Sequence, residues 1–157
     1  MQYSKVKVVC AFLVTSLIAF LLASIFHTQF VLKELIAIGV EINFGTRLAT
    51  TIEDIVGLAP GYGAIVTVGL LIGFTVMALI RKYFHLPRYM AYALGGGLAF
   101  AAMHWLMYPI FYITLIAGAR TNLGFIFQCL AGVIGGLIFA RLLLWARGRS
   151  IFHEPKN

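Results

Sequence analysis

The sequence predicts an all-α integral membrane protein: a bundle of four membrane-spanning helices, with an amphipathic helical segment on the outer face between helices 1 and 2. Three observations carry this expectation. Of the 157 residues, 62% are hydrophobic and only 11% are charged, whereas about a quarter are charged in a soluble domain. Four apolar stretches, at 8–26, 61–80, 90–117 and 123–144, match the roughly 20 helical residues that cross a hydrocarbon core. Only the connection at 27–60 has any length, so 1–157 reads as a single membrane domain with no room for a separate soluble one.

The first span follows Lys5 and Lys7, as the core of a signal peptide would. Val8 to Phe26 is longer than such a core, and "LLASIFHTQ" offers no small-x-small cleavage site, so a retained helix is expected. Cys10, near the start of this span, and Cys129, within the fourth, fall at different depths. A disulfide needs their Cα atoms within about 7 Å, so both read as small packing residues.

The connection at 27–60 is not a polar linker. "TQFVLKELIAIGV" sets Phe30, Val31, Leu32, Leu35, Ile36 and Ile38 against Lys33, Glu34 and Glu41, the pattern of an amphipathic helix on the bilayer or on the bundle. Asn43 and Gly45 are expected to break it. A second short helix is expected in "TTIEDIVGLAPG", with Thr50 and Glu53 as a capping box and Gly57 and Pro60 as the stop. The segment reads as an interfacial belt filling the outer leaflet, with a lid or docking surface as the alternative. EF-hand spacing is absent, and Glu53 and Asp54 suit the first turn of a helix, where the dipole favours acids.

In the spans, small residues recur every four positions: Ala19 and Ala23, Gly69 and Gly73, Ala91, Gly95 and Ala99, and Gly132 with Gly136. Such stripes let helices approach closely in lipid, and Gly69, Gly73, Gly95, Gly132 and Gly136 are the candidate packing residues. If the protein is a subunit that packs against itself or another membrane protein, some of these faces should stay uncovered within one chain.

Nine basic residues, Lys5, Lys7, Arg81, Lys82, Arg88, Arg141, Arg147, Arg149 and Lys156, lie on the side of the termini, against Lys33, Arg47 and Arg120 opposite. The positive-inside rule then assigns both termini to the cytoplasm, and small size with short loops suggests a bacterial inner membrane. This partition also accounts for the net charge of +7. The basic groups flank hydrophobic helices, where anionic lipid is the natural partner, and nucleic acid is excluded as one. In the basic cytoplasmic tail, 145–157, Trp145 belongs at headgroup level, Arg141 can snorkel, and Arg147 and Arg149 would meet phosphates.

His104 lies near the middle of the third span, where ionisable groups are candidates for function. It shares a helical stripe with Gly97, Ala101, Tyr108 and Tyr112. Pro109 is expected to kink the helix one turn outward. Thr15, Ser16, Thr75 and Gly135 fall at a similar depth, and Gln128 falls near that of Tyr112. The candidate ligand-binding set is therefore His104, Tyr108, Tyr112, Gln128 and Thr75. The competing account makes His104 polar glue that pins the third helix against the fourth, with Gly132, Gly135 and Gly136 making room.

No span carries a carboxylate, which disfavours a proton-coupled carrier. A di-histidine haem is not expected, because His27, His85 and His153 fall at or beyond the membrane surfaces. No cofactor and no metal site is expected. HExxH spacing, a nucleophile elbow and a phosphate loop are all absent, so no catalytic residue is assigned and no enzyme is expected. The leading expectation is a non-catalytic structural or accessory subunit that self-associates or packs against a partner membrane protein. The alternatives are a small oligomeric channel or carrier, or a lipid-, quinone- or haem-binding protein with its site around His104.

Overall fold

Helix α1 runs unbroken from Lys5 to Ala37, 33 residues, so the first span and the first amphipathic stretch form one element. No glycine or proline interrupts it before Gly39. There the chain turns with φ +92°, Gly39 N–H donating to Ile36 O at 3.0 Å and Val40 N–H to Leu35 O at 3.1 Å. This is a Schellman stop, which favours a residue without a Cβ, and it ends the helix before the expected break at Asn43 and Gly45. The computed structural model describes residues 5–111, 117–119 and 121–146, with the backbone alone over 108–111 and at 117.

Helix α2 spans Phe44–Leu58, and Asn43 caps it, its side chain accepting from Thr46 N–H at 2.8 Å. The expected start at Thr50 is overturned: Asn is at least as good a cap as Thr, it comes first, and Gly45, the expected breaker between them, is taken into the first helical turn. Nor do Gly57 and Pro60 stop the helix. Ala59–Gly63 form a π turn with Pro60 at its beginning. Proline removes an N–H and clashes with the preceding turn, and a widened turn accommodates it without ending the helix. α3 follows directly at Ala64–Phe84, so Phe44 to Phe84 is one helical run of 41 residues.

α3 ends at His85 in the left-handed region, φ 52°. α4 covers Arg88–Phe111, and α5 covers Asn122–Ala146 after a 3-10 turn at Ala117–Ala119. Thr121 opens α5 by accepting from Gly124 N–H at 3.0 Å. The third apolar stretch was expected to reach 117, but Ala117 belongs to that 3-10 turn. Residues 112–116 and the tail from 147 lie outside the described residues. The described fold is all-helical, without strands, and has four helices long and apolar enough to cross a membrane.

α1 and the α2–α3 run form an antiparallel hairpin, with pairings from Phe12 to Phe74, Phe20 to Tyr62, Thr28 to Asp54 and Gln29 to Thr51. α5 packs against α1 and α4, and α3 packs against α4. The glycines set these contacts. A methyl added to Gly73 would come within 2.7 Å of the Gly95 carbonyl oxygen and 2.9 Å of Ala99 Cβ, and one on Gly69 would strike Met103. Between α4 and α5, Gly96 and Gly132 each face the other's carbonyl, and Gly136 lies against that of Tyr92. Gly135 leaves room for Ala19 and Thr15 of α1. Gly69, Gly73, Gly95, Gly132 and Gly136 all make contacts within the chain, while Gly69 and Gly73 stay half-buried beside an open groove between α3 and α4.

Adding a methyl separates these sites from an open one. Gly136→Ala should cost about 1–3 kcal/mol, the usual cost of overpacking. On exposed α2, a methyl added to Gly57 meets nothing within 4 Å, so Gly57→Ala should gain about 0.5–1 kcal/mol through helix propensity alone. Thermal denaturation in detergent, followed by circular dichroism, reads both.

Candidate functional site

α4 carries His104 into the bundle, where 8% of it is exposed. Its Nδ1 lies 2.8 Å from the Phe100 carbonyl on the same helix. A carbonyl can only accept, so Nδ1 bears the proton and, in the neutral ring, Nε2 is a bare acceptor. Nε2 is buried and meets no hydrogen-bond partner among the described residues. Around the ring stand Tyr62 at 6.1 Å and Phe125 at 6.2 Å, both edge-on, and Phe100 at 6.3 Å, nearly parallel. His104 therefore makes its Nδ1 hydrogen bond within α4 and touches the π turn and α5 through aromatic faces.

The polar link between helices is Gln128, 1% exposed. It accepts from the Tyr62 hydroxyl at 2.9 Å and donates to the Ala23 carbonyl at 3.0 Å, so one amide joins α5, the π turn and α1. Thr75 does not share this site. It is exposed, its hydroxyl donates to Leu71 O at 2.6 Å, and it borders a lateral crevice with Val9 and Phe12. Thr15 and Ser16 are buried on α1 with no hydroxyl partner among the described residues. The Tyr108 side chain and Tyr112 lie outside the described residues, as do Arg147 and Arg149. Arg141 and Trp145 border a surface recess on α5, and the Lys7 ammonium sits 5.3 Å from the centre of the Trp145 ring.

A second polar cluster stands where none is expected from the residues alone. His27, expected at a membrane surface, is 9% exposed within α1. Its Nδ1 accepts from Gly118 N–H at 3.1 Å, and a methyl on Gly118 would come within 2.7 Å of His27 Cα. Beside it the Thr28 hydroxyl lies 2.8 Å from Asp54 Oδ2 and 3.1 Å from Ser24 O, with one proton to give between them. Gln29 donates to Thr51 at 3.3 Å and accepts from Arg47 at 2.8 Å. The signal is present in the spacing: Arg47, Thr51 and Asp54 recur at i, i+4 and i+7, one polar face of a helix. Tyr62 carries no such signal, because Ala59–Gly63 reads as a break.

Comparison with protein-family models, with curated proteins and with solved structures gives no match to this chain.

Two outcomes follow from this geometry. Gln128→Leu strands the Tyr62 hydroxyl in the core and removes a second bond from the Ala23 carbonyl, and should cost about 1–3 kcal/mol. Paired with Tyr62→Phe in a double-mutant cycle, it should show coupling of about 0.5–2 kcal/mol. At His27, acid converts Nδ1 from acceptor to donor, so the Gly118 contact exists while the ring is neutral and is lost as the pH falls through its titration. Asp54, across the α1–α2 seam, would then attract the imidazolium. Burial holds the His27 pKa below its ordinary value, so amide exchange at Gly118, corrected for its intrinsic rate, should quicken only as the pH falls below about 6.5. In His27→Asn that pH response should vanish.

Proposed function

We propose that the chain is a non-catalytic integral membrane subunit, inserted with both termini in the cytoplasm of a bacterial inner membrane, that docks a partner protein through its outer hairpin. One observation carries the reading. α2 has no buried residue, and Phe44, Leu48, Ile52 and Val56, at successive i, i+4 positions, are 80%, 53%, 55% and 68% exposed. This is an apolar stripe that the chain itself leaves uncovered.

Length and charge argue that lipid does not cover it. Arg81 and Lys82 mark the basic end of α3, and about 20 residues counted outward from Arg81 end at Gly61. α2 then lies beyond the hydrocarbon. Its hydrogen bonds to Gln29 and Thr28 keep it alongside α1, which is not the posture of a helix floating in the interface plane. At 33 residues, α1 is about 50 Å long, some 20 Å more than the core needs.

The stripe's surroundings favour a different protein over a second copy. The hairpin tip, 27–58, holds Glu34, Glu41, Glu53 and Asp54 against Lys33 and Arg47, so it is acidic by two charges. Two copies inserted the same way would bring like against like. A partner with an apolar groove and a basic rim complements both the stripe and the charge.

A photoreactive residue placed at Leu48 or Ile52 in living cells should give one adduct of the same mass, formed with another protein. Placed at Thr51, which faces α1, or at Ile72, in the span, it should not. Lipid adducts alone at Leu48 and Ile52, or a mass equal to two copies of this chain, would overturn the assignment of the partner.

A further inference from the structure

The four helices do not close evenly. Between α1 and α3, in the half of the bundle nearer the basic end, lies a crevice of about 370 Å3 bordered by Val8, Val9, Phe12, Phe74, Thr75 and Ala78, among others. That volume falls within the range of about 300–1,000 Å3 seen for small-molecule sites. Its rim residues Val9, Thr75 and Ala78 are exposed, while its floor residues Phe74, Tyr92 and Phe139 are buried. The crevice is therefore a slot opening sideways onto the surface that faces lipid in the membrane reading.

The floor is aromatic. Phe74 and Phe139 stack at 4.6 Å with 4° between their planes, and Tyr92 meets them edge-on at 5.6 and 5.0 Å. Phe12 closes one end, edge-on to both at 6.5 and 6.3 Å. The Thr75 hydroxyl is already committed to Leu71 O, so the slot offers a guest apolar contact and little hydrogen bonding.

The mouth carries charge of one sign. Lys5 stands one helical turn beyond Val9 on α1, and Lys82 one turn beyond Ala78 on α3, so each continues the face that lines the slot. Both are exposed. No acidic residue lies at this end among the described residues, since Glu34, Glu41, Glu53 and Asp54 are all in the hairpin tip. An apolar slot with paired cations at its headgroup end has the chemistry of an amphiphile with an anionic head.

We infer that this crevice is a specific site for one anionic phospholipid of the inner leaflet, with an acyl chain lying on Phe12, Phe74 and Phe139 and the phosphate held by Lys5 and Lys82. The inference rests on membrane insertion but not on the outer partner. Each lysine near the headgroup favours an anionic lipid by about five-fold. The site would hold a lipid that travels with the protein, distinct from the exchanging lipid around the other faces.

The test is native mass spectrometry of the full chain in detergent, titrated with phosphatidylglycerol and with phosphatidylcholine of the same chains. The wild type should retain one phosphatidylglycerol, at least about five-fold over phosphatidylcholine. Lys5→Gln with Lys82→Gln should bring the two lipids to parity, Ala78→Phe should abolish retention of both, and Lys33→Gln, in the hairpin tip, should change nothing. Melting temperatures of the variants report their folding. If Ala78→Phe does not fold, a phospholipid with a photoreactive acyl chain is mapped on the wild type, where adducts on peptides holding Phe12 and Ala78 support the site. Equal retention of the two lipids by the wild type, or adducts spread over Val68 and Ile72, would overturn it. A chain that stays soluble without detergent would instead sink the insertion reading.

Discussion

The close approach of α4 to α5 is the constraint on which the rest of the molecule depends. In lipid there is little hydrophobic drive to join two apolar helices, so contact must come from backbones near enough for extended van der Waals packing. Gly96, Gly132 and Gly136 provide it, each facing a carbonyl of the neighbouring helix where any side chain would collide. With that pair fixed, the next glycine along α5, Gly135, turns toward α1 and admits Ala19 and Thr15. On the other flank, Gly73 and Gly95 bring α3 against α4. No such glycine pair joins α1 to α3 among the described residues. That seam is filled by aromatic rings, and its lower half stays open as the crevice.

With the small residues used inside the chain, the surfaces left for the proposed functions lie at the two ends of the bundle. Among the described residues the core holds an amide, Gln128, that joins three elements, and an imidazole, His104, whose Nδ1 is tied to its own helix. Neither contact needs a ligand to complete the bundle. At one end a hairpin tip carries an apolar stripe within an acidic surround, and at the other a greasy slot opens beneath lysines. A subunit that reads a protein partner on one side and an anionic leaflet on the other would be built this way. The two surfaces share α1, which runs the whole distance between them.

Much of this is legible in the residues, for reasons that differ by element. Composition and run length are enough for four apolar helices, because the cost of an unpaired backbone in lipid leaves helices and closed barrels as the only spanning structures. The ends of α1 and α2 are not legible from hydropathy. They depend on which breaker acts first: Gly39 ahead of Asn43, and Asn43 as cap ahead of Thr50. Pro60 misleads because its rule describes an α-turn, and a π turn evades it. Around His104, polarity in an apolar run draws attention to a position that is buried in the bundle, but the sequence does not say which helix offers the neighbouring face. Tyr62 arrives from the π turn, and Thr75 points away to the surface. His27 reads as a surface residue only when the first span is ended at Phe26, one residue short of it.

The central claim is that α2 stands with the hairpin, beyond the hydrocarbon, presenting an apolar stripe that neither this chain nor lipid covers. Its most direct test is a cysteine scan of the purified protein in lipid vesicles, where no partner is present. Cys10 and Cys129, the two native thiols, are first replaced by serine and alanine. Single cysteines at Phe44, Leu48, Ile52 and Val56 should all react with a membrane-impermeant maleimide, while those at Val68, Ile72 and Val76 should stay protected until detergent is added. Protection along the whole of α2 would mean that the stripe is sunk in lipid, and the account of a docking hairpin would fall.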